Sequence, residues 1–216
     1  MRAQGLRRRA AETPLPEETD GVIALDPKDT LKTHLEQSAH IKRASIDTLA
    51  TPFTEAARLI GDRLEAGGTL YTCGNGGSMC DAMHLVGEMI GRFAYDRGAI
   101  RAVTLGANPA SATAIGNDYS YKDILLREAD ALIDPSDAVI GISTSGDAEN
   151  VRAVAELARS RGAFVLGLTG KSGGALAQAC DVELRVPSDS TPRIQEVHIT
   201  LVHALCDLLE QRLRPR

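Results

Sequence analysis

The feature that most constrains the fold is an alternation of short apolar runs with helical patterns, which starts near residue 69 and continues to the end of the chain. The apolar runs read TLYTC, IRAVTL, DAVIGIST, AFVLGLTG and DVELRVP. Strands that alternate with helices predict a parallel sheet with helices on both faces, because each parallel connection needs a crossover. Continuous apolar runs are typical of strands buried on both faces. We therefore expect an α/β fold with a doubly wound, mostly parallel five-stranded sheet flanked by helices.

The segment before the first strand predicts two extra helices. An Asp-Pro pair opens the first, which we expect over residues 26–49, and Thr51-Pro52 opens the second, which ends at a Gly-Gly pair. With no strand between them, their apolar faces need a partner, for which another subunit is the natural candidate. Residues 1–25 are polar and proline-containing, and we expect a flexible arm ahead of a single domain over 26–216.

Composition and charge argue against several classes of protein. A formal net charge of −5 disfavours a broad nucleic-acid-binding face. No apolar run reaches the length of a membrane span, and the arginines near the start precede no apolar core, so neither a membrane anchor nor a signal peptide is expected. The four cysteines fit no zinc-finger spacing, and we expect buried, reduced thiols in a cytoplasmic protein.

Two turns are placed where an open parallel sheet binds ligands. GNGGS at residues 74–78 follows one predicted strand, STSGD at residues 143–147 follows another, and each opens a helix. Free backbone N–H groups at a helix start favour an anion, and glycine allows close approach. Neither turn contains the P-loop or dinucleotide pattern, which favours a small phosphate over a nucleotide. Plain strand-to-helix connections remain the alternative.

His84 and Glu88 are four residues apart and therefore share a helix face. They are suited to ligating a divalent metal such as zinc, to acid–base chemistry, or simply to forming an exposed ion pair. The last predicted helix offers further polar side chains in an apolar run, namely Gln195, His198 and His203. Helical spacing does not choose between the two histidines as a partner for Gln195.

Five motifs in order resemble those of the phosphoheptose isomerase family, within the larger sugar isomerase (SIS) domain superfamily. They read CGNGGSMCDAMHLVGEMIGRF, AIGNDYSY, GISTSGDAENV, GLTGKSGG and VPSDSTPRIQEVHITLVH, and the resemblance spans about residues 28–213. It implies a zinc-assisted aldose–ketose isomerase that converts sedoheptulose 7-phosphate to D-glycero-D-manno-heptose 7-phosphate through an enediolate. It also implies a homotetramer with one zinc ion per subunit.

The resemblance also assigns residues. It implies Glu88 as the catalytic base and His203 as the acid. The positions that it matches to metal ligands are His84, Glu88, Gln195 and His203. Those that it matches to substrate contacts are Asn75, Gly76, Gly77, Ser78, Glu88, Asn117, Asp118, Ser143, Thr144, Ser145 and Gln195. One departure is Ala148, where the family usually has a serine near the phosphate.

Three other functions stay open. A non-catalytic SIS-domain tetramer that binds a protein partner would need no metal-type residues. A sugar-phosphate-sensing regulator would need a fused DNA-binding domain, for which residues 1–25 are too short. An isomerase of a related sugar phosphate in secondary metabolism would be compatible with Ala148.

Overall fold

A computed structural model describes residues 26–213, so the predicted arm over residues 1–25 lies outside the described part of the chain. The strands are β1 Leu70–Gly74, β2 Ala102–Thr104, β3 Ala138–Ile142, β4 Phe164–Thr169 and β5 Val182–Arg185. The helices are α1 Pro27–Glu65, α2 Gly77–Ile90, α3 Pro109–Asp118, α4 Asp123–Leu132, α5 Glu149–Ser160, α6 Leu176–Ala179 and α7 Thr191–Leu213. No helix within residues 26–213 has the length and apolarity that crossing a bilayer requires.

The five strands form one sheet in the order β2-β1-β3-β4-β5, and every neighbouring pair is parallel. This confirms the predicted α/β class. The strand order changes direction between β1 and β3, where Gly74 pairs with Ile142 at the carboxyl ends of both strands. A crevice opens at such a switch point, and ligands of open α/β sheets bind there.

Two clusters of buried side chains, one on each face of the sheet, form the core. One cluster packs α1, α2 and α7 against the sheet, and the other packs α4, α5 and α6 against the opposite face. Consecutive residues of β1 alternate between the two, since Leu70 belongs to the first cluster and Tyr71 to the second. Because α2 and α7 cover the same face, their side chains can contact each other there.

The prediction of two N-terminal helices is wrong, because α1 is one helix of 39 residues with Pro52 inside it. An internal proline removes one helical hydrogen bond, which costs about 3 kcal/mol. The buried face of α1 nevertheless continues through it, with Leu49 before Pro52 and Ala56 and Ile60 after it. Burying an apolar side chain of this kind stabilises by roughly 1.5–3 kcal/mol, so the continuous face outweighs the proline.

The cysteines are free thiols, and the expectation that they are buried holds for three of the four. Burial raises the pKa of Cys73, Cys180 and Cys206 to about 12, which keeps these thiols protonated and unreactive. Cys80 is exposed, contrary to the expectation. It lies on α2, whose core-facing residues are Ser78, Ala82, Leu85 and Met89, so Cys80 falls on the outer side of the helix.

Candidate active site

The two predicted ligand-binding turns lie side by side, because they follow the adjacent strands β1 and β3. A pair of reciprocal hydrogen bonds joins them: the Nδ2 of Asn75 donates to Oδ1 of Asn150, and the Nδ2 of Asn150 donates to Oδ1 of Asn75, each at 2.9 Å. The hydroxyl of Tyr121 also donates to Oδ1 of Asn75, at 2.8 Å. Asn75 is thereby held by one side chain from α5 and one from the segment between α3 and α4.

The first turn brings backbone close to α7. Gly76 has a φ of 53°, a left-handed conformation that favours glycine, and α2 begins at the next residue. A Cβ added to Gly77 would lie 2.5 Å from Nε2 of Gln195. The Gln195 amide therefore packs directly on the glycine at the start of α2, and Gly77 and Gln195 belong to the same site. Ser78 is buried in the first turn of α2.

The second turn is a compact loop of hydroxyl-bearing residues that precedes α5. Ser143 is buried, and both its carbonyl and its Oγ accept from the N–H of Gly146, at 3.1 Å each. Thr144 and Ser145 are half-buried and lie at the carboxyl end of β3. Ala148 is the N-cap residue of α5 and has no side chain that could cap the helix. The first turn of α5 therefore relies on backbone donors and on the preceding hydroxyls for anion binding.

His84, Glu88 and His203 converge between α2 and α7. The Nε2 of His84 lies 3.1 Å from Oε1 of Glu88 and 3.3 Å from Nε2 of His203. The rings of His84 and His203 meet edge to face with centroids 4.9 Å apart, and Phe93 stacks on His203 at 5.8 Å. A carboxylate and an imidazole, the groups that carry acid–base chemistry, thus contact the same nitrogen.

His198, the other histidine of the last helix, lies elsewhere. It is fully buried, and its Nε2 is 3.0 Å from the carbonyl oxygen of Thr169. Burial lowers the pKa of His198 to about 4, although the bond to Thr169 opposes the shift. A neutral core histidine that bonds to a strand end is a packing residue. The structure therefore groups His203, and not His198, with His84.

The donor set can be compared with what zinc requires. Zinc binds imidazole nitrogen and carboxylate oxygen at about 2.0–2.2 Å, so neighbouring donors of a tetrahedral site are roughly 3.4 Å apart. The two contacts of His84, at 3.1 and 3.3 Å, match this spacing. No group of three or more His, Cys, Asp or Glu side chains within residues 26–213 encloses a metal position. The two donor pairs that include His84 thus fit zinc in type and spacing, although no full set of donors is assembled among the described residues.

Two predicted substrate contacts lie on α3 and not with His84, Glu88 and His203. Asn117 and Asp118 end α3, are exposed, and bond to each other, with Nδ2 of Asn117 donating to Oδ1 of Asp118 at 2.8 Å. The residue that reaches the first turn from this part of the chain is Tyr121, three positions beyond Asp118. The predicted residues from the other segments lie along the two turns, α2 and α7.

Three residues of the site were missed by sequence reasoning. Asn150 and Tyr121 hold Asn75, and nothing in their local pattern distinguishes them from ordinary helix and loop residues. The third is Asp81, one turn before His84 on α2. Its Oδ2 is buried and has no hydrogen-bond partner among the described residues. Burial raises the pKa of Asp81, whereas a charge on His84 lowers it. The i, i+3 spacing of Asp81 and His84 is the signal that could have found it.

We expect Ala148→Ser to strengthen both the helix and the phosphate binding that the sequence predicts for this turn. Ala148 has the extended backbone of an N-cap, and serine at such a position stabilises by about 1 kcal/mol over alanine. For a chain of this size the melting temperature should rise by roughly 2–4 °C. The added hydroxyl should also lower KM for a phosphate-bearing substrate. Ala148→Gly is the control, since glycine tolerates the cap position but adds no donor. A serine variant with unchanged Tm and KM would contradict the expectation.

Comparisons with known proteins agree with this architecture. The family model described as SIS domain matches residues 33–170. A phosphoheptose isomerase of Geobacter sulfurreducens is 43% identical over 187 residues, which cover 87% of this chain and 99% of that protein. Solved structures of phosphoheptose isomerases from Neisseria gonorrhoeae and Francisella tularensis are each 36% identical. They superpose with TM-scores of 0.81 and 0.82, covering 86% and 87% of this chain and all of those chains.

Proposed function

Because the chain belongs to the SIS domain family and, within it, to the phosphoheptose isomerases, it is a sugar-phosphate isomerase, and we propose that its substrate is sedoheptulose 7-phosphate. The product would be D-glycero-D-manno-heptose 7-phosphate. The relatives' name supports the heptose, and the two adjacent turns support a phosphate-bearing ligand. In this proposal Ser143, Thr144 and Ser145 contact the phosphate, and Asn75, Gly76 and Gly77 contact the sugar.

The observation that carries the proposal is the convergence of Glu88 and His203 on one nitrogen of His84. A ketose-to-aldose isomerisation moves a proton from C1 to C2 and a second proton from the C1 hydroxyl to the C2 oxygen. We assign the carbon-bound proton to the carboxylate of Glu88 and the oxygen protons to the imidazole of His203. Two groups 3.1 and 3.3 Å from a common atom are close enough to act on neighbouring atoms of one substrate.

The turn at residues 143–147, which we propose binds the phosphate, contributes at a distance from the reacting carbons. A phosphate at the opposite end of the substrate from C1 gives binding energy that the enzyme can use to hold C1 and C2 in place. Asn75 is fixed by Asn150 and Tyr121, so its position does not depend on the substrate. A site prepared in this way loses less entropy when the sugar binds.

We further propose that His84, Glu88, Gln195 and His203 hold one zinc ion per subunit. Support comes from the nitrogen and oxygen donors of His84, Glu88 and His203 and from the spacing of these three side chains, and Gln195 is included because the resemblance matches it to a ligand position. When bound, zinc supplies Lewis-acid stabilisation of negative charge on the sugar oxygens.

Removal of zinc should abolish turnover and its return should restore it. A chelator followed by dialysis is expected to reduce the rate by more than about 100-fold, because the charge of the enediolate would lose its main stabilisation. Adding zinc should restore activity, whereas magnesium, which prefers oxygen ligands, should not. Circular dichroism controls for folding. Activity that is unchanged by both the chelator and added zinc would contradict the metal assignment.

The substrate is tested by a turnover assay with the purified protein. Sedoheptulose 7-phosphate is compared with a six-carbon and a five-carbon ketose phosphate, and the aldose is followed by NMR. The expected result is a kcat/KM for the heptose at least about tenfold above the others, which is what one or two extra contacts at the site can supply. A preference for another ketose phosphate would instead favour the related isomerase that Ala148 allows.

We also propose that the enzyme works as a homotetramer in the cytoplasm. The support is an apolar surface on α1, where Leu31, Leu35 and Ile46 are 61%, 62% and 63% exposed. An apolar groove between α1 and α7, lined by Phe53 and Leu201 among others, adjoins it. Exposed apolar surface of this kind is typical of subunit contacts. Light scattering tests the state, since the proposal requires a mass four times the 22.9 kDa of one chain.

A further inference from the structure

A buried ion pair joins α7 to the segment that follows α2. The Nε of Arg97 lies 3.1 Å from Oε1 of Glu210, and the two side chains are 1% and 0% exposed. The Nε–H is not aligned for a hydrogen bond, so this contact is purely ionic. Two charges taken out of water are strongly penalised unless their remaining hydrogen-bonding groups are satisfied. The partners of these groups therefore indicate what the pair does.

Glu210 holds the backbone of the segment after α2. Its Oε1 accepts from the N–H of Phe93 at 2.9 Å, and its Oε2 accepts from the N–H of Ala94 at 2.6 Å and of Tyr95 at 3.0 Å. Burial acts to raise the pKa of Glu210, but these three bonds and the charge of Arg97 bring it below its ordinary value. The carboxylate is thus ionised and serves as the acceptor for three consecutive residues.

Arg97 holds the end of α2 itself. Its Nη2 donates to the carbonyl of Glu88 at 2.8 Å, and its Nη1 donates to the carbonyls of Met89 at 2.8 Å and Gly98 at 2.9 Å. The last carbonyls of a helix have no partner within the helix, so an arginine that caps them fixes where the helix ends. One of the capped residues is Glu88, whose side chain contacts His84.

Both ends of this network reach the site. Phe93, held by Glu210, stacks on His203 with ring planes 29° apart. Glu210 and His203 lie seven residues apart on α7, which is nearly two full turns, so they share a side of the helix. The pair therefore links the backbone of Glu88, on α2, to the ring of His203, on α7.

We propose that Glu210, together with Arg97, is a positioning residue for the isomerase. It holds Phe93 against His203 and the end of α2 beside α7, so that Glu88 and His203 meet the substrate at a fixed separation. This inference rests on the proposed function. Removing one partner of a buried ion pair lowers stability, because the other charge is left unpaired, so the positioning role is read from the rate of the folded variant. A displacement of about 1 Å in a catalytic group can reduce the rate about 100-fold.

The test uses the full chain with zinc present. Glu210→Gln keeps the size of the side chain but removes the charge and leaves one oxygen for three donors. We expect kcat to fall about 10–100-fold while KM stays within about twofold, because the substrate-binding turns are untouched. The ring-proton NMR signals of His203 should also move, since the ring of Phe93 shifts them. Phe93→Leu should reproduce the loss of kcat with the ion pair intact. It replaces Glu210→Gln as the test variant if Glu210→Gln folds poorly.

Arg212→Met is the matched control. Arg212 lies two residues beyond Glu210 on α7 and ties this helix to Asp62 and Glu65 of α1. Its loss should lower stability and leave kcat unchanged. Wild-type kcat and unmoved His203 signals in Glu210→Gln would overturn the inference, as would an equal loss of kcat in Arg212→Met. If the wild-type chain isomerised no sugar phosphate, the proposed function would fail, and the His203 signals would still decide the positioning.

Discussion

Glu88→Gln should lower kcat by roughly 10²–10⁴-fold with little change in folding, because it removes the proposed base while keeping the size of the side chain. An amide oxygen can still accept a hydrogen bond from His84, 3.1 Å away in the native site, and can still ligate a metal. A carboxamide cannot take up a carbon-bound proton. The substitution therefore separates the two roles assigned to Glu88, ligand and base.

The measurements are kcat and KM with sedoheptulose 7-phosphate and the zinc content of the purified variant. We expect zinc near the wild-type level and KM changed by less than about threefold, since the loss concerns the transition state. Glu156→Gln is the matched control, because Glu156 is an exposed carboxylate on α5 that forms an ion pair with Arg152, four residues before it. Full activity in Glu88→Gln would rule out the base assignment, and a variant that lost both zinc and activity would favour the ligand role.

The sheet could be predicted because its signal is local. Each strand buried on both faces is an uninterrupted apolar run, as in Ala138–Ile142, where every residue is buried. Helix ends were harder to predict, because they depend on packing. Pro52 is a strong local signal for a boundary, yet the apolar face of α1 continues through it onto α7 and the sheet. A boundary signal worth about 3 kcal/mol is overridden when several buried side chains lie on both sides of it.

The candidate site could be predicted in the places where its residues lie within a single motif. The turns around Asn75 and Ser143 were found because glycine and hydroxyl residues after a strand are unusual, and His84 and Glu88 because they share a helix face. Contacts between distant segments could not be predicted in this way. Tyr121 is 46 residues from Asn75, and Glu210 is 117 residues from Phe93. Only the packed fold brings such pairs together.

Gly146→Ala should destabilise the protein more than a glycine-to-alanine change in an ordinary loop, because two independent effects act at this position. Gly146 has a φ of 74°, where an alanine costs about 1–2 kcal/mol. An added Cβ would also lie 1.9 Å from the carbonyl oxygen of Gly173, which belongs to backbone and cannot rotate away. The carbonyl of Gly146 accepts from the N–H of Leu176 at 2.8 Å, so separating the two loops would break this bond as well.

We expect a loss of about 3–5 kcal/mol, in the range that only strain and severe overpacking reach, and a fall in melting temperature of roughly 10 °C. Gly67→Ala is the matched control, since Gly67 has a φ of 90° but open space where the Cβ would be. It should show the backbone effect alone, about 1–2 kcal/mol. The difference between the two variants then measures how tightly the loop of residues 170–175 packs on the turn that follows β3. Equal losses in the two variants would contradict the expectation, because they would mean that the loop moves away from the added Cβ at little cost. A larger loss at Gly146, accompanied by a raised KM, would show that this packing also holds the turn in the conformation that binds substrate.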